Sequence, residues 1–446
     1  MLHHAPYSSL IFDGLFLGAV ALIWLMLGYQ SLLFFLGHSY YKKTRHNPTP
    51  PPPVPDGELP PVSVLVPCHN EERVVAHTIQ ALQRLDYPAG KLEFLIVNDG
   101  STDGTLATIH SMAGDPRVKA VDVPPQLAAR GKANALNYAL ACAAHELIAV
   151  YDADNLPEPG ALRPLAARMV VEPPLAAAVG MYRSWNRRRT LLTRFLNIEA
   201  IGFQWILQAG RWMLMRLTFL PGTNYVIRRS VLEKLGGWDV AALTEDSELT
   251  TRIYMSRQQV GFVPASVSWE QEPERLGNWF RQRRRWVRGN NYILRKWGVA
   301  LLKPHRHHLE MLYSLLMYYL FFAALVVSDL TFVLSWAGLI SIDVPGPYGL
   351  VWILAYVTFV LQLVIALSCE PGEDTKGNIL LTLAMYFTYC QLWIPVVAAA
   401  VYDDWIVRRE TRWAKTERYA VDCEMAAEGR TGPGRSDAGP AGPLAE

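Results

Sequence analysis

A chain of 446 residues, 51% of them hydrophobic, is long enough for a large folded core with apolar sequence left over for a membrane. Its 42 basic and 40 acidic residues leave a formal charge of +2, which lacks the concentrated basic excess of a polyanion binder and gives no reason to expect a nucleic-acid partner. The five cysteines, Cys68, Cys142, Cys369, Cys390 and Cys423, are widely separated and show neither a CxxC pair nor Cys/His ligand spacing, which argues against a disulfide scaffold and a structural zinc site.

From Leu10 to Leu36 the only charge is Asp13, and the run is long enough to cross a bilayer as a helix. A cleaved signal peptide is the rival reading, but the segment lacks a basic start and a small-residue cleavage site and is too long, so a retained anchor over residues 1–45 is expected. Lys42, Lys43 and Arg45 follow it and place that end in the cytoplasm, with the amino terminus outside. Residues 46–57 contain the run from Pro48 to Pro55, either a semi-rigid spacer or a proline-recognition ligand. Residues 58–290 are mixed in polarity and form the soluble domain. A membrane region over 291–405 carries apolar runs at Met311–Trp336, Leu350–Ser368 and Ile379–Val401. Residues 406–425 form a basic juxtamembrane segment, and the Gly-, Pro- and Ala-rich composition of 426–446 predicts a disordered tail.

Within the soluble domain, short β-rich runs alternate with helical patterns. Val62–Val66, Leu92–Val97, Val118–Val121 and Leu147–Tyr151 predict strands; Glu71–Leu85, Asp103–Met112 and Lys132–Ala144 predict helices. Such alternation implies an α/β fold with a largely parallel, Rossmann-like sheet covered on both faces, in which ligands bind beyond the carboxyl ends of the strands. Three strand ends deliver polar residues to that rim: Pro67 to Glu71, Asn98 to Ser101, and Asp152-Ala153-Asp154.

Asp152 and Asp154 leave a buried strand in a turn where both carboxylates can meet one hard cation that holds a diphosphate. Mg2+ or Mn2+ suits the pair better than zinc because no His or Cys accompanies it, although Asp-X-Asp also occurs in plain exposed turns. Asp99 sits where an acceptor-only side chain can take uracil N–H or ribose hydroxyls, or it belongs simply to a turn before a capped helix. Lys132, opening a helix after Gly131, can add charge at the diphosphate or be a solvated lysine. Thr244-Glu245-Asp246-Ser247-Glu248 opens another helix, with Thr244 placed to cap it; capping explains some of this acidity, and the functional alternative makes Asp246 a general base. Trp279-Phe280-Arg281-Gln282-Arg283-Arg284-Arg285-Trp286 has helical spacing and suits both a membrane interface and a site where Arg grips a diphosphate and Trp stacks on a sugar.

In that order, Asp99, Asp152-Ala153-Asp154, Thr244-Glu245-Asp246 and Gln282-Arg283-Arg284-Arg285-Trp286 resemble the processive membrane glycosyltransferases of family 2, which include cellulose, chitin, hyaluronan and poly-N-acetylglucosamine synthases. The resemblance covers about Pro61 to Asn290 plus the membrane arrangement. It implies a GT-A domain in which Glu71 and Asp99 hold the uridine end, Lys132 meets the phosphates, Asp154 assisted by Asp152 binds the metal, and Asp246 is the base. Gln282, Arg285 and Trp286 would shape the acceptor and diphosphate sites, next to an acceptor-side loop from Phe219 to Asn224 that contains Gly222 and Thr223. That loop reads Pro-Gly-Thr where cellulose synthases have Cys-Gly-Ser, and no cyclic-dinucleotide-binding β-barrel follows the spans, so cellulose is the less favoured product.

The implied chemistry is inverting transfer from a UDP-sugar to a growing β-linked polysaccharide, with poly-N-acetylglucosamine favoured, on a multi-pass protein of the cell membrane whose catalytic domain is cytoplasmic. An accessory export subunit is a possible partner. Single-sugar transfer to a lipid carrier, giving a glycolipid, and a non-enzymatic nucleotide sensor or transporter are the alternatives. Trp413, Thr416 and Arg418 are similar to the gating segment of related synthases; an ordinary basic segment is the other reading. Three full crossings after the domain would leave this segment outside, whereas its charge places it inside, so the last apolar run, broken at Pro395, is expected to be re-entrant or interfacial. Gln362 and Gln391 line a pore or join helices. His305, His307 and His308 read as a headgroup-facing basic cluster rather than a metal site.

Overall fold

The structure, a computed structural model, describes residues 6–46, 54–342 and 344–408; Trp413, Thr416, Arg418 and the carboxyl-terminal tail lie outside the described residues. The chain begins with α1 (Pro6–His46) and then builds the sheet domain as β1 (Val62–Cys68), α2 (Val75–Gln83), β2 (Leu92–Asn98), α3 (Thr105–Met112), β3 (Val118–Asp122), α4 (Lys132–Cys142) and β4 (Leu147–Val150). It continues through β5 (Leu156–Pro157), α5 (Leu162–Val171), β6 (Leu175–Ser184), α6 (Leu191–Gly202), α7 (Ala209–Met215), β7 (Tyr225–Arg228), α8 (Arg229–Leu235), α9 (Glu245–Met255) and β8 (Gln259–Glu270). The long α10 (Leu276–Leu301) leads to α11 (His308–Trp336), α12 (Tyr348–Leu367), α13 (Lys376–Met385) and α14 (Trp393–Val401).

The eight strands form one sheet in the order β3-β2-β1-β4-β7-β6-β8-β5. The half read from alternation, β3-β2-β1-β4, is parallel throughout. Beyond it β7 runs antiparallel to both β4 and β6, while β6 and β8 are parallel to each other. The sheet is therefore mixed, and the antiparallel strands β7 and β5, of 4 and 2 residues, are too short to show a period in sequence. Val62, Val64, Leu65, Phe94, Ile96, Ile148 and Val150 are fully buried, as expected for strands covered on both faces. The first helix of the domain starts at Val75 rather than Glu71 because Asn70 adopts a left-handed conformation (φ 56°) and residues 71–74 form a turn.

Among the described residues four helical stretches are long and apolar enough to cross a membrane: Leu10–Arg45, His308–Trp336, Tyr348–Leu367 and Cys390–Val407. The first continues onto the sheet domain. Gly37 lies against the Trp205 carbonyl and Gly210 against Leu33, contacts that any Cβ would block, and the Tyr40 hydroxyl donates to the Phe262 carbonyl at 3.0 Å. Arg211 pairs with Glu310 at 2.5 Å, joining α7 to α11, and Glu310 also accepts from Tyr29 of α1. The Gln362 amide donates to Ser31 at 2.8 Å and Gln391 to the Tyr386 carbonyl, so both serve helix contacts.

The last apolar run is not one helix. α13 ends at Met385 and α14 starts only at Trp393, with Pro395 in its first turn, so the break precedes the proline, which has no N–H to bond residue 391. Both ends of this stretch touch the sheet domain: Asn378 meets Arg194 of α6 at 3.2 Å, and Asp404 meets Arg288 of α10 at 2.8 Å. His307 departs from the headgroup-facing reading. It is buried with its ring edge-on to Tyr254, and burial pushes its pKa down to about 4.

Candidate active site

Strands β1, β2 and β4 end side by side, which brings the polar residues after each to one rim. Asp99 leaves β2 beside β1, its N–H bonded to the Cys68 carbonyl at 2.8 Å. Its carboxylate is buried and accepts from the Ala129 N–H at 2.8 Å, an anchor for the turn that leads into α4. Burial raises its pKa above the usual carboxylate value, against the opposing N–H groups of Ala129 and Gly131. Glu71, half-buried after β1, donates its backbone N–H to Thr105 Oγ1 at 2.7 Å.

Lys132 is the first residue of α4 and sits at the centre of the cluster. Its Nζ lies 2.6 Å from Asp152 Oδ1 and 3.3 Å from Glu245 Oε1, and donates to the Gly222 carbonyl at 2.8 Å. Burial opposes its charge, yet Asp152 and Glu245 hold the ammonium well above the ordinary lysine range. A cation enclosed by two carboxylates joins the strand end of β4, the loop before β7 and the start of α9 into one site. Asp154 is buried one step beyond Asp152, and the Asp152 N–H donates to Thr223 Oγ1 at 3.2 Å. Thr223 in turn donates to Asn155 Oδ1, whose Nδ2 is buried without a hydrogen-bond partner among the described residues.

Gly222 has φ +89°, and a Cβ there would sit 2.9 Å from Asp246 Oδ2 and 3.3 Å from Lys132 Nζ, so only glycine lets this loop pass so near. Asp246 accepts from the Ser247 N–H at 2.7 Å. Burial, and next the charge of Glu245, push its carboxyl up to about 7, against the pulls of Lys132, Ser247 and Arg285. Such a group is close to half ionised at neutral pH, where a carboxylate works best as a base.

The capping explanation of this acidic run does not hold. Thr244 stands at the amino end of α9, but its side chain makes no cap bond; its Oγ1 is buried against Gly289 of α10 without a hydrogen-bond partner among the described residues. Glu248 instead pairs with Arg252 at 2.7 Å and Lys296 at 2.8 Å.

The three adjacent arginines of α10 separate by function. Arg283 is buried, pairs with Glu199 at 3.0 Å and stacks 3.9 Å above the Trp286 ring. Arg284 pairs with Asp403, and Arg285 donates to the Leu243 carbonyl at 3.1 Å on the side of Asp246. Gln282 and Trp286 are half-buried on the same helix. Asp99, Lys132, Asp152, Gly222, Thr223, Asp246 and Arg285 are thereby linked through direct or one-residue contacts. Glu245 was hidden in its motif as the neighbour of Asp246, and Gly289 had only the signal of a glycine inside a long helix.

Among the described residues no group of three or more His, Cys, Asp or Glu side chains could hold a metal. The donor set at the end of β4 is an all-oxygen pair, Asp152 and the buried Asp154, whose chemistry suits a hard divalent cation.

Residues 60–289 match the family described as "Glycosyltransferase like family 2". The probable glycosyltransferase YdaM of Bacillus subtilis is 40% identical over 416 residues, covering 91% of this chain and 98% of its own length. The poly-beta-1,6-N-acetyl-D-glucosamine synthase of Staphylococcus aureus is 26% identical over 287 residues, 64% of this chain and 68% of that one. Among solved structures, the mannosyltransferase PcManGT from Pyrobaculum calidifontis, in complex with GDP-Man and Mn2+, has a TM-score of 0.62 at 22% identity, covering 88% of this chain and 99% of that one. The fold is GT-A, the resemblance read from the four acidic and basic motifs is confirmed, and the chain belongs to the family 2 glycosyltransferases.

Proposed function

We propose that this glycosyltransferase is an inverting enzyme that moves a sugar from a UDP-sugar to a growing β-linked polysaccharide at the inner face of the cell membrane, with poly-N-acetylglucosamine as the favoured product. The observation that carries the reading is the Asp246 carboxyl, raised to about 7 beside Lys132 and Gly222 at the rim where the strand ends converge.

In this mechanism Asp246 removes the proton from the acceptor hydroxyl, whose oxygen attacks the anomeric carbon from the face opposite the diphosphate. The anomeric carbon–oxygen bond to UDP breaks and the configuration inverts. Arg285 steadies Asp246 and the departing charge, Asp99 and Glu71 take the uridine, and Trp286 presents an aromatic face to the acceptor sugar. Asp154, with Asp152, would hold Mg2+ or Mn2+, which when bound neutralises the diphosphate as it leaves. Lys132 holds Asp152 and Glu245 in place and carries charge towards the same phosphates.

The membrane arrangement follows the charge of the first anchor, with the sheet domain inside. Contacts at both ends of residues 378–404 with α6 and α10 support a re-entrant last segment. Labelling Lys415 from outside intact cells would contradict that topology.

Asp246→Asn tests the central step. It should lower turnover on the order of 10²–10⁴-fold while UDP binding persists. Preserved turnover would remove Asp246 as the base. Sizing the product from purified protein and radiolabelled UDP-N-acetylglucosamine tests polymerisation; one added sugar would replace it with transfer to a lipid carrier.

A further inference from the structure

Helix α10 is held between two different partners, and its residues divide between them with helical regularity. Arg285, Gly289, Tyr292 and Lys296 face the catalytic segment: Arg285 donates to the Leu243 carbonyl, Gly289 abuts Thr244, and Tyr292 and Lys296 meet Asp239 at 2.7 and 2.6 Å. The residues one position earlier, Arg284, Arg288, Asn291 and Arg295, all face Asp403 and Asp404 at the end of the last apolar segment. Arg284 pairs with Asp403, Arg288 with Asp404 at 2.8 Å, Asn291 donates to Asp404 at 2.8 Å, and Arg295 reaches the Asp404 carbonyl at 3.5 Å. Both acids are almost completely buried, with side-chain exposure of 1% each. The end of the segment is fastened further by Trp405, which donates to the Tyr319 hydroxyl at 3.0 Å, while Tyr319 donates to Asn291 at 2.5 Å.

Spacings of four, three and four residues define one stripe on an α-helix, and the neighbouring stripe lies about 100° around the axis. Consecutive arginines make this helix ambiguous: a rotation by one residue would carry Arg284 to the place of Arg285. Two buried carboxylates remove the ambiguity because a buried acid needs its cation, and only one rotation supplies Arg284 and Arg288 to them together. We infer that Asp403 and Asp404 are positioning residues for catalysis: they set the rotation of α10 and so keep Arg285 turned towards Asp246. The membrane segment thereby acts on the base without touching substrate. This inference rests on the proposed role of Asp246 as general base.

The test uses the full chain in lipid nanodiscs, with UDP release from UDP-N-acetylglucosamine and UDP binding as readouts. A shift of about 1 Å in a supporting element commonly lowers turnover on the order of 10²-fold, so Asp403→Asn combined with Asp404→Asn should lower kcat by about 10- to 100-fold with little change in donor KM. Lys132, Glu245 and Arg285 surround Asp246, and displacing Arg285 removes a charge that favours its ionised form, so the acid limb of the kcat/KM profile should also move to higher pH. Asp404→Glu, which keeps the charge and tests a milder change if the double variant does not fold, should recover at least part of the turnover and the original limb. Reversing the pair, Arg288→Asp with Asp404→Arg, should restore activity lost by either change alone.

A folded double variant with wild-type kcat and pH profile would overturn the inference. So would a loss of thermal stability with an unmoved acid limb and no recovery on reversal, which would make the pair an anchor only. Asp246→Asn in the same assay separates the two ideas: if it abolishes turnover and the double variant does nothing, the positioning role alone falls; if it retains turnover, the base falls. Absence of wild-type turnover with UDP-N-acetylglucosamine counts against that donor, and the series is then run with UDP-glucose and GDP-mannose.

Discussion

Replacing Glu245 with Gln should make the enzyme work at more acidic pH. Asp246 carries its proton up to about 7, and the carboxylate of Glu245 is the largest charge holding it there. With that value only about one enzyme in eleven has an ionised base at pH 6, against about ten in eleven at pH 8, so kcat/KM should fall roughly tenfold between them. Two unit charges about 7 Å apart at an effective dielectric near 20 interact by roughly 2 kcal/mol, and pairing of Glu245 with Lys132 offsets part of that. The acid limb of Glu245→Gln should therefore move down by about 1 on the pH scale, since roughly 1.4 kcal/mol corresponds to one pKa unit. At pH 6 about half the molecules would then be active, a gain of about fivefold relative to the plateau. Lys132→Met provides the opposite sign: losing the cation that favours ionised Asp246 should move the limb up. The assay is steady-state UDP release between pH 5 and 9 at donor concentrations well below KM, which reports the free enzyme. Limbs that stay in place, or that move together in both variants, would refute the assignment of the titration to Asp246.

Three further outcomes follow from the same geometry. Gly222→Ala forces φ +89° on a residue with a side chain and puts a Cβ 2.9 Å from Asp246, so kcat should drop by about 10²-fold with the sheet domain still folded by circular dichroism. Asp154→Ala, or removal of divalent ions with EDTA, should abolish donor binding in calorimetry, and Mg2+ or Mn2+ should restore it only to the wild-type chain. Asp246→Asn should not lower the unfolding temperature at pH 8: the folded carboxyl holds its proton more tightly than the unfolded one, so its contribution to stability is lost as pH rises from about 4 to about 7. Asparagine lacks that penalty, and a marked drop in stability would mean the carboxylate is a structural partner.

Much of this protein is written in local patterns. Strands buried on both faces are short unbroken apolar runs, and α/β alternation follows from their spacing; β1 to β4 therefore lie where the sequence places them, and their shared polarity brings Asp99 and Asp152 to one rim. The apolar runs of α1, α11 and α12 are equally plain, since a lipid interior demands an uninterrupted apolar helix. Long-range contacts were another matter. No period announces a four-residue antiparallel strand such as β7, whose pairing depends on neighbours distant in sequence. Three consecutive arginines look alike in a string of letters. Only the packing of α10 against Glu199, Asp403 and Leu243 gives Arg283, Arg284 and Arg285 separate tasks.

Composition, hydrophobic period and the four ordered motifs determined the class of this enzyme, because each depends on residues a few positions apart. The tertiary structure decided which charges meet: that Lys132 sits between Asp152 and Glu245, that Thr244 packs on Gly289 instead of capping its helix, and that the end of the last apolar segment grips α10. Charge pairing and burial are set by distances through space, and those exist only once the chain has folded.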